Sequence, residues 1–229
     1  MTHKEKAARI VELLEERYPT ALCALHYEGE PWKLLVMGRL SAQCTDYRVN
    51  IVCKELFARF PTCEALAKGD LTEIESLVRP CGLYHTKAAQ IKEECRMLAE
   101  DFGGVLPMDM DTLLTFPGVG RKIANLLLGD IYGLPAIVAD THCIRISERL
   151  GLTPENEKRP EKVEFALKAL ISPDKQSDFC HRMVLFGRDI CSARTPQCDF
   201  CPLSALCRFH GGRNKFYKGT FKHSPHSRH

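Results

Sequence analysis

Four cysteines close to the C-terminus lie within seventeen residues of one another, with the spacing C-x6-C-x2-C-x5-C. They are Cys191, Cys198, Cys201 and Cys207. Thiolates held in one short loop repel each other, and a soft metal centre is the usual way to neutralise them. The spacing therefore predicts that the end of the chain folds around a metal centre.

Composition indicates a globular protein that works inside the cell. The chain has 229 residues, of which 45% are hydrophobic and 27% charged, enough for one large or two small cores. No apolar run approaches the roughly 18 residues of a membrane span, and the N-terminus lacks the apolar stretch of a signal peptide. We therefore expect a cytoplasmic location without membrane contact. Since disulfides are disfavoured there, the eight remaining cysteines are expected to be small buried hydrophobes.

The last residues are basic, although the net charge of the whole chain is only +3. Residues 211–229 contain five Lys or Arg, three His and no Asp or Glu. This composition predicts a flexible basic tail that makes loose phosphate contacts, or a solvated tail without function.

Helical periodicity dominates the chain and predicts an all-α fold of many short helices. Ala7, Ile10, Val11 and Leu14 form an apolar stripe at helical spacing. Candidate helix starts carry a capping side chain, and they are Asp46, Thr62, Thr72 and Thr86. Further helices are expected at roughly 141–150, 160–171 and 178–190. No sustained alternation of apolar and polar residues indicates a strand.

A glycine pair separates two helical segments in the middle of the chain, where residues 116–125 read Phe-Pro-Gly-Val-Gly-Arg-Lys-Ile-Ala-Asn. Gly118 and Gly120 allow unusual backbone angles and close approach. Their N–H groups and the start of the next helix can face a phosphate oxygen, which binds nucleic acid without reading bases. An ordinary helix–helix turn is the alternative interpretation.

Lys122 follows this hairpin in the first turn of the next helix, beside Arg121. The positive end of a helix and a neighbouring cation both disfavour an ammonium ion. A neutral amine is the nucleophile that Schiff-base chemistry needs, so Lys122 is the candidate nucleophile. The alternative is a solvated surface lysine.

Asp140 lies at a second predicted helix start, within Val138-Ala139-Asp140-Thr141-His142. An N-cap carboxylate stays ionised and fixed, so it can also stabilise a developing sugar cation or accept a proton. The alternative is an N-cap alone. For His142 a structural role or a phosphate contact is favoured over catalysis.

Taken in order, these motifs resemble the endonuclease III family of helix-hairpin-helix DNA glycosylases with AP-lyase activity. The resemblance rests on Pro117-Gly118-Val119-Gly120-Arg121-Lys122, on the segment around Asp140 and on the cysteine run. Upstream, Leu40-Ser41-Ala42-Gln43-Cys44-Thr45-Asp46 and Gly82-Leu83-Tyr84-His85-Thr86-Lys87-Ala88 are similar to the family's DNA-facing segments. The chain departs from the family pattern at Ile123, at His85, at Gly38-Arg39 and in the loop that holds Arg194.

The resemblance implies two helical lobes with a DNA cleft between them. One lobe is a six-helix barrel at residues 24–134, and the other combines 1–23 with 135–210 and carries a [4Fe-4S] cluster on the four cysteines. It also implies that Lys122 is the nucleophile, that Asp140 is the catalytic carboxylate, and that Gln43 and Leu83 fill the space left by an extruded nucleotide.

The remaining DNA contacts implied by the resemblance are Gly118, Val119, Gly120, Arg121, His142 and Arg194. The partner is damaged double-stranded DNA, the substrate class is oxidised pyrimidines, and the protein is expected to be monomeric. Three alternatives stay open. They are a monofunctional glycosylase of the same superfamily, which generally lacks the hairpin lysine; a non-enzymatic iron–sulfur DNA-binding or redox-sensing module; and a zinc ribbon, which typically has two C-x2-C knuckles where this chain has one.

Overall fold

The computed structural model describes residues 1–211, so the predicted basic tail lies outside this part of the chain except for Gly211. Residues 1–211 contain helices and connecting loops, and no β-strand occurs among them. The prediction of an all-α fold is therefore confirmed. None of the helices in this range has the length and apolar character needed to cross a membrane.

The α-helices are given in chain order. They are α1 (His3–Arg17), α2 (Pro31–Leu40), α3 (Asp46–Arg59), α4 (Cys63–Lys68), α5 (Leu71–Val78), α6 (Tyr84–Glu100), α7 (Met110–Leu113), α8 (Arg121–Tyr132), α9 (Thr141–Leu150), α10 (Pro160–Lys168) and α11 (Gln176–Asp189). Short 3-10 helices lie at Arg79–Cys81, Pro173–Lys175, Cys198–Phe200 and Ser204–Leu206.

Helix starts agree with the sequence prediction at some caps and differ at others. Thr62 caps α4 as predicted, by accepting the N–H of Ala65. The cap of α3 is Thr45 and not Asp46, because Thr45 has the extended backbone of an N-cap and accepts the N–H of Arg48. Asp46 instead lies in the first turn, where its negative charge interacts favourably with the positive end of the helix dipole.

The starts of α5 and α6 also differ from the prediction. Asp70, and not Thr72, caps α5 by accepting the N–H of Glu73 at 2.9 Å. Helix α6 begins at Tyr84, before the predicted start at Thr86, and its N-cap residue is Leu83 in a left-handed conformation. Both predictions took a threonine inside the first turn for the residue that precedes the helix.

The chain forms two compact units. The first contains residues 1–21, 139–172 and those from Arg182 onward. The second contains residues 22–138 and 173–181. The sequence groups 173–181 with the first of these units, and its boundaries at 24–134, 1–23 and 135–210 stay a prediction.

The core of the first unit is built around α1. Its predicted stripe, Ala7, Ile10, Val11 and Leu14, is buried. Polar links join α1 to other parts of this unit. Lys6 Nζ donates to the carbonyl of Leu150 at 2.5 Å, and Arg182 Nε donates to the carbonyl of Tyr18 at 3.1 Å.

The core of the second unit is centred on α2, which is apolar over most of its length and packs against α6 and α8. Trp32 meets Phe57 edge to face, with ring centroids 5.0 Å apart. Cysteines outside the terminal run behave largely as predicted across the two units. Six of the eight are buried, and Cys23 and Cys44 are half-buried.

Candidate functional site

The glycine hairpin connects α7 to α8 in the second unit. Gly118 has φ 79°, in the region that favours glycine. A Cβ atom at this position would lie 2.7 Å from Arg39 Cδ and 2.9 Å from Gln90 Cδ, and closer still to Arg39 Nε. The hairpin therefore needs a glycine at 118 both for its backbone and for the side chains packed behind it.

The second glycine has a different role. Gly120 has φ −101° and ψ 176°, which any residue adopts, and a Cβ atom there would meet nothing within 4 Å. It is the N-cap residue of α8 and has no side chain to cover the first N–H groups of the helix. Gly120 therefore keeps the helix N-terminus open to a ligand.

Val119, between the two glycines, faces the core. Its side chain is 6% exposed, and its N–H donates to the carbonyl of Phe116 at 3.1 Å. Val119 therefore anchors the turn, and its two neighbours, Gly118 and Gly120, are exposed.

A polar layer that the sequence analysis did not identify lies behind the hairpin. Arg39 Nε donates to Gln90 Oε1 at 2.5 Å, directly against Gly118. Glu94, one turn further along α6, is fully buried, and within residues 1–211 neither carboxyl oxygen has a hydrogen-bond partner. Burial raises the pKa of Glu94 well above its ordinary value, and the charge of Arg39 opposes this shift. In the sequence, the only indication of this layer was Arg39, which interrupts an apolar stretch.

Lys122 is exposed in the first turn of α8, next to the half-buried Arg121. The two residues that follow, Ile123 and Ala124, are buried in the core of the second unit. The Asn125 side-chain amide donates to the carbonyl of Arg121 at 3.0 Å within the same turn. The helix start is thus anchored on one side and presents the Lys122 amine to solvent on the other.

Asp140 is the N-cap residue of α9 in the first unit. Its Oδ1 accepts the N–H of Cys143 at 2.7 Å, and its backbone is extended, with φ −85° and ψ −177°. The preceding residues, 136–139, are buried. The predicted cap is therefore present, and it fixes the direction of the carboxylate.

His142 has a packing role in the first unit, as the structural interpretation expects. Its Nδ1 accepts from Arg145 at 3.2 Å, and Arg145 also donates to the carbonyl of Cys191 at 2.9 Å. A Cβ atom at Gly187 on α11 would clash with His142 Nδ1, so the two helices approach closely here. His142 and Arg145 connect α9 to the start of the cysteine loop.

Gln43 and Leu83 are exposed on two loops of the second unit. Gln43 lies between α2 and α3 with φ 54°, and Leu83 precedes α6 with φ 49°. Leu83 is 60% exposed. Lys87, which is fully buried, donates to a carbonyl of each loop. In the sequence, Lys87 was indicated only by its position on the helix face that also carries Ala88, Ile91 and Leu98.

The four terminal cysteines line one cavity of the first unit, and Arg149 lies beside them. Arg149 donates to Cys191 Sγ at 3.3 Å and to the carbonyl of Ser192 at 2.7 Å. Burial, together with the nearby thiols, raises the pKa of Cys201 to about 11. The positive charge of Arg149 therefore lies beside thiols whose ionisation is disfavoured by burial.

Four cysteine thiols form the donor set at this site, and both iron–sulfur clusters and some structural zinc sites use such a set. Arg194 is exposed in the loop between Cys191 and Cys198, where it was predicted to meet DNA.

Comparisons with known proteins agree with this geometry. The family model for "HhH-GPD superfamily base excision DNA repair protein" matches residues 36–173. The chain is 43% identical to endonuclease III of Synechocystis sp. over 205 residues, which cover 89% of this chain and 92% of that protein.

Two solved structures are similar to the chain over nearly its whole length. A non-covalent endonuclease III–DNA complex has a TM-score of 0.87 and 39% identity, covering 94% of this chain and all of the other. A trapped endonuclease III–DNA covalent intermediate, an estranged-adenine complex, has the same TM-score and identity and covers 93% of this chain.

Proposed function

Because the chain belongs to the endonuclease III family of HhH-GPD base excision DNA repair proteins, we propose that it is a bifunctional DNA glycosylase and AP lyase. It removes a damaged base from duplex DNA and then nicks the strand. The observation that carries this proposal is the exposed Lys122 behind an open glycine hairpin, in a chain that is 39% identical to a protein trapped covalently on DNA.

The hairpin grips the DNA backbone. The N–H groups of the exposed residues Gly118 and Gly120, together with the start of α8, bind a phosphate, and Arg121 adds a positive charge. Such contacts position the strand without reading its sequence. Lys122 lies one residue beyond Arg121, so a gripped phosphate brings its deoxyribose close to the amine.

Lys122 supplies the covalent step. Its Nζ attacks C1′, the bond from C1′ to the base breaks, and the base leaves with the electron pair and takes up a proton. The C1′–O4′ bond then breaks, O4′ takes up the proton that Nζ loses, and the opened sugar is joined to Lys122 as a Schiff base. This Schiff base makes the C2′ proton acidic. Loss of that proton breaks the C3′–O bond, and water then hydrolyses the imine to free the lysine.

Asp140 stabilises the positive charge that develops on the sugar as the base departs. Its hydrogen bond from the N–H of Cys143 holds the carboxylate in one orientation, so little reorganisation is needed in the transition state. The cap and the catalytic role are compatible because a carboxylate can accept several hydrogen bonds at once.

Gln43 and Leu83 occupy the space that the extruded nucleotide leaves. An amide can hydrogen-bond the orphaned partner base, and an exposed apolar side chain keeps the duplex kinked. The exposure of both side chains on left-handed loop residues supports this assignment. The substrate class is oxidised pyrimidines, and the protein acts in the cytoplasm, on DNA.

The four cysteines would hold a [4Fe-4S] cluster. The shared cavity and the cationic Arg149 support this choice. The cysteine spacing favours it over a zinc ribbon, since the run has one C-x2-C where a ribbon typically has two. When bound, the cluster has a structural role, since its four thiolates fill the protein-ligand positions. Cys191 and Cys198 then fix the ends of the loop that presents Arg194 to phosphate.

The proposal is tested with a duplex that carries one oxidised pyrimidine, by following base release and strand cleavage separately. The wild-type protein should release the base and leave the unsaturated aldehyde end of β-elimination. Lys122→Ala should do neither. Base release without cleavage would identify a monofunctional glycosylase, and salt-sensitive binding without either reaction would identify a non-enzymatic DNA-binding protein.

A further inference from the structure

Lys87 connects the two loops that carry Gln43 and Leu83. Its Nζ donates to the carbonyls of Leu40 at 2.9 Å and Ala42 at 2.8 Å, which precede Gln43. The third hydrogen bond goes to the carbonyl of Cys81, at 2.7 Å, two residues before Leu83. One buried ammonium group thus bonds to both loops, although Leu40 and Lys87 are 47 residues apart.

The surroundings of Lys87 suit a buried ammonium group. The side chain is 0% exposed, and burying a charge is costly unless every donor finds a partner. A lysine ammonium has three N–H donors, and all three are used here. Burial lowers the pKa of Lys87, and the nearby Cys81 and Cys44 thiols oppose the shift. Burying this charge has a desolvation cost, and the hydrogen bonds that connect the two loops offset it.

Both loops have backbone conformations that need support. A left-handed residue with a Cβ atom costs about 1–2 kcal/mol, and each loop has one, Gln43 at φ 54° and Leu83 at φ 49°. Such conformations persist where the surrounding structure determines them. Besides Lys87, the described residues give the loops a contact between Cys44 and Cys81 and a long hydrogen bond from Arg48 to the carbonyl of Pro80, at 3.4 Å.

We propose that Lys87 is a positioning residue that makes the two loops one rigid wedge, so that Gln43 and Leu83 enter the duplex together at a fixed spacing. This inference rests on the proposed function of those two residues. Filling the vacated space and kinking the duplex have to occur in one step. Independent loops would pay the entropy of ordering each time, and preorganisation removes that cost.

The test is a double-mutant cycle that combines Lys87→Met with the paired change Gln43→Ala and Leu83→Ala. Single-turnover base release is measured on a lesion opposite a purine and on the same lesion opposite a gap, where no partner base has to be met. Rates are divided by the active fraction, counted by borohydride trapping on abasic DNA. Lys92→Met is the matched control, because Lys92 also lies on α6 and donates to a loop carbonyl, that of Gly69.

We expect Lys87→Met to slow release opposite the purine by about tenfold, the effect of one lost interaction of about 1.4 kcal/mol, and opposite the gap by much less. In the background without Gln43 and Leu83 it should cause no further loss, and Lys92→Met should match wild type. An equal loss on both substrates, or a loss that adds to that of the paired change, would overturn the inference. If the paired change alone has no effect, the roles proposed for Gln43 and Leu83 fail instead.

Hydrogen exchange in the wild-type protein provides a second test that does not depend on the variant folding. The N–H of Cys44 is bonded to the carbonyl of Ser41, and that of Gly82 to the carbonyl of Arg79. If Lys87 makes the loops one unit, the two amides should exchange with the same opening free energy. Clearly different opening free energies would contradict the coupling.

Discussion

Alanine should have different effects at the two glycines of the hairpin, lowering stability at Gly118 and DNA affinity at Gly120. Gly118→Ala places a Cβ atom on a residue with φ 79°, at a cost of about 1–2 kcal/mol. The new atom also meets Arg39 Cδ at 2.7 Å and Gln90 Cδ at 2.9 Å, so this packed layer must shift, at about 1–3 kcal/mol more. We expect the free energy of unfolding of the second unit to fall by about 2–5 kcal/mol.

Gly120→Ala is the matched control. Its backbone angles suit alanine and a Cβ atom there meets nothing within 4 Å, so stability should fall only by the cost of alanine at an N-cap position, at most about 1 kcal/mol. The new methyl group lies where the phosphate has to approach, so DNA affinity should fall. Urea denaturation measures the stability of each variant, and titration with abasic-analogue duplex measures affinity.

A third variant separates the two costs at Gly118. Adding Arg39→Ala to Gly118→Ala removes the nearest clashing side chain but leaves the backbone penalty. The second change should therefore destabilise the Gly118→Ala protein less than it destabilises the wild type. The reasoning is refuted if Gly118→Ala is as stable as wild type, or if Gly120→Ala loses as much stability as Gly118→Ala.

Three further predictions concern the capping carboxylate, the buried carboxyl and the metal centre. Asp140→Asn should keep the cap, so its free energy of unfolding should lie within about 0.5 kcal/mol of wild type while the rate of base release falls sharply. Asp140→Ala should lose base release and also about 1 kcal/mol of stability. Near-normal turnover of the Asn variant would show that Asp140 acts only as a cap. The pKa of Glu94 is raised above 4.5 in the folded state, so its contribution to stability is complete below that pH and is lost as the pH rises through the folded pKa. Glu94→Gln should therefore gain stability relative to wild type as the pH is raised above 4.5, measured by urea midpoints. A difference that stays constant with pH would count against the shift. Elemental analysis of the purified protein should find about four irons and four acid-labile sulfides per chain, and zinc without sulfide would exclude the cluster.

Much of the fold follows from local signals. Helix α9 occupies the predicted residues because both ends are encoded nearby, by Asp140 as N-cap and by Gly151 in the left-handed conformation at the C-terminal end. The N-cap residues of α5 and α6 lie two and three residues before the predicted Thr72 and Thr86, because a threonine in the first turn has the same composition signal as an N-cap residue. Only the backbone conformation distinguishes the two.

Some features of the candidate site are encoded by neighbouring residues, and others depend on contacts between residues far apart in the sequence. The hairpin glycines and the exposed Lys122 are contiguous in sequence, so their pattern could be read directly. Lys87 could not be found because its partners are backbone carbonyls, two of them more than 40 residues away, and a carbonyl carries no residue identity. The Arg39–Gln90 pair was equally hard to predict, since it packs against Gly118 on a turn that is distant in the sequence.

The position of the covalent bond to DNA is the most direct test of the account. The protein is incubated with an abasic duplex in the presence of borohydride, and the reduced adduct is digested and mapped by mass spectrometry. The account predicts a single modified residue, Lys122, and no adduct with Lys122→Ala at equal folded concentration. An adduct that maps to another lysine, or that persists undiminished in Lys122→Ala, would contradict it.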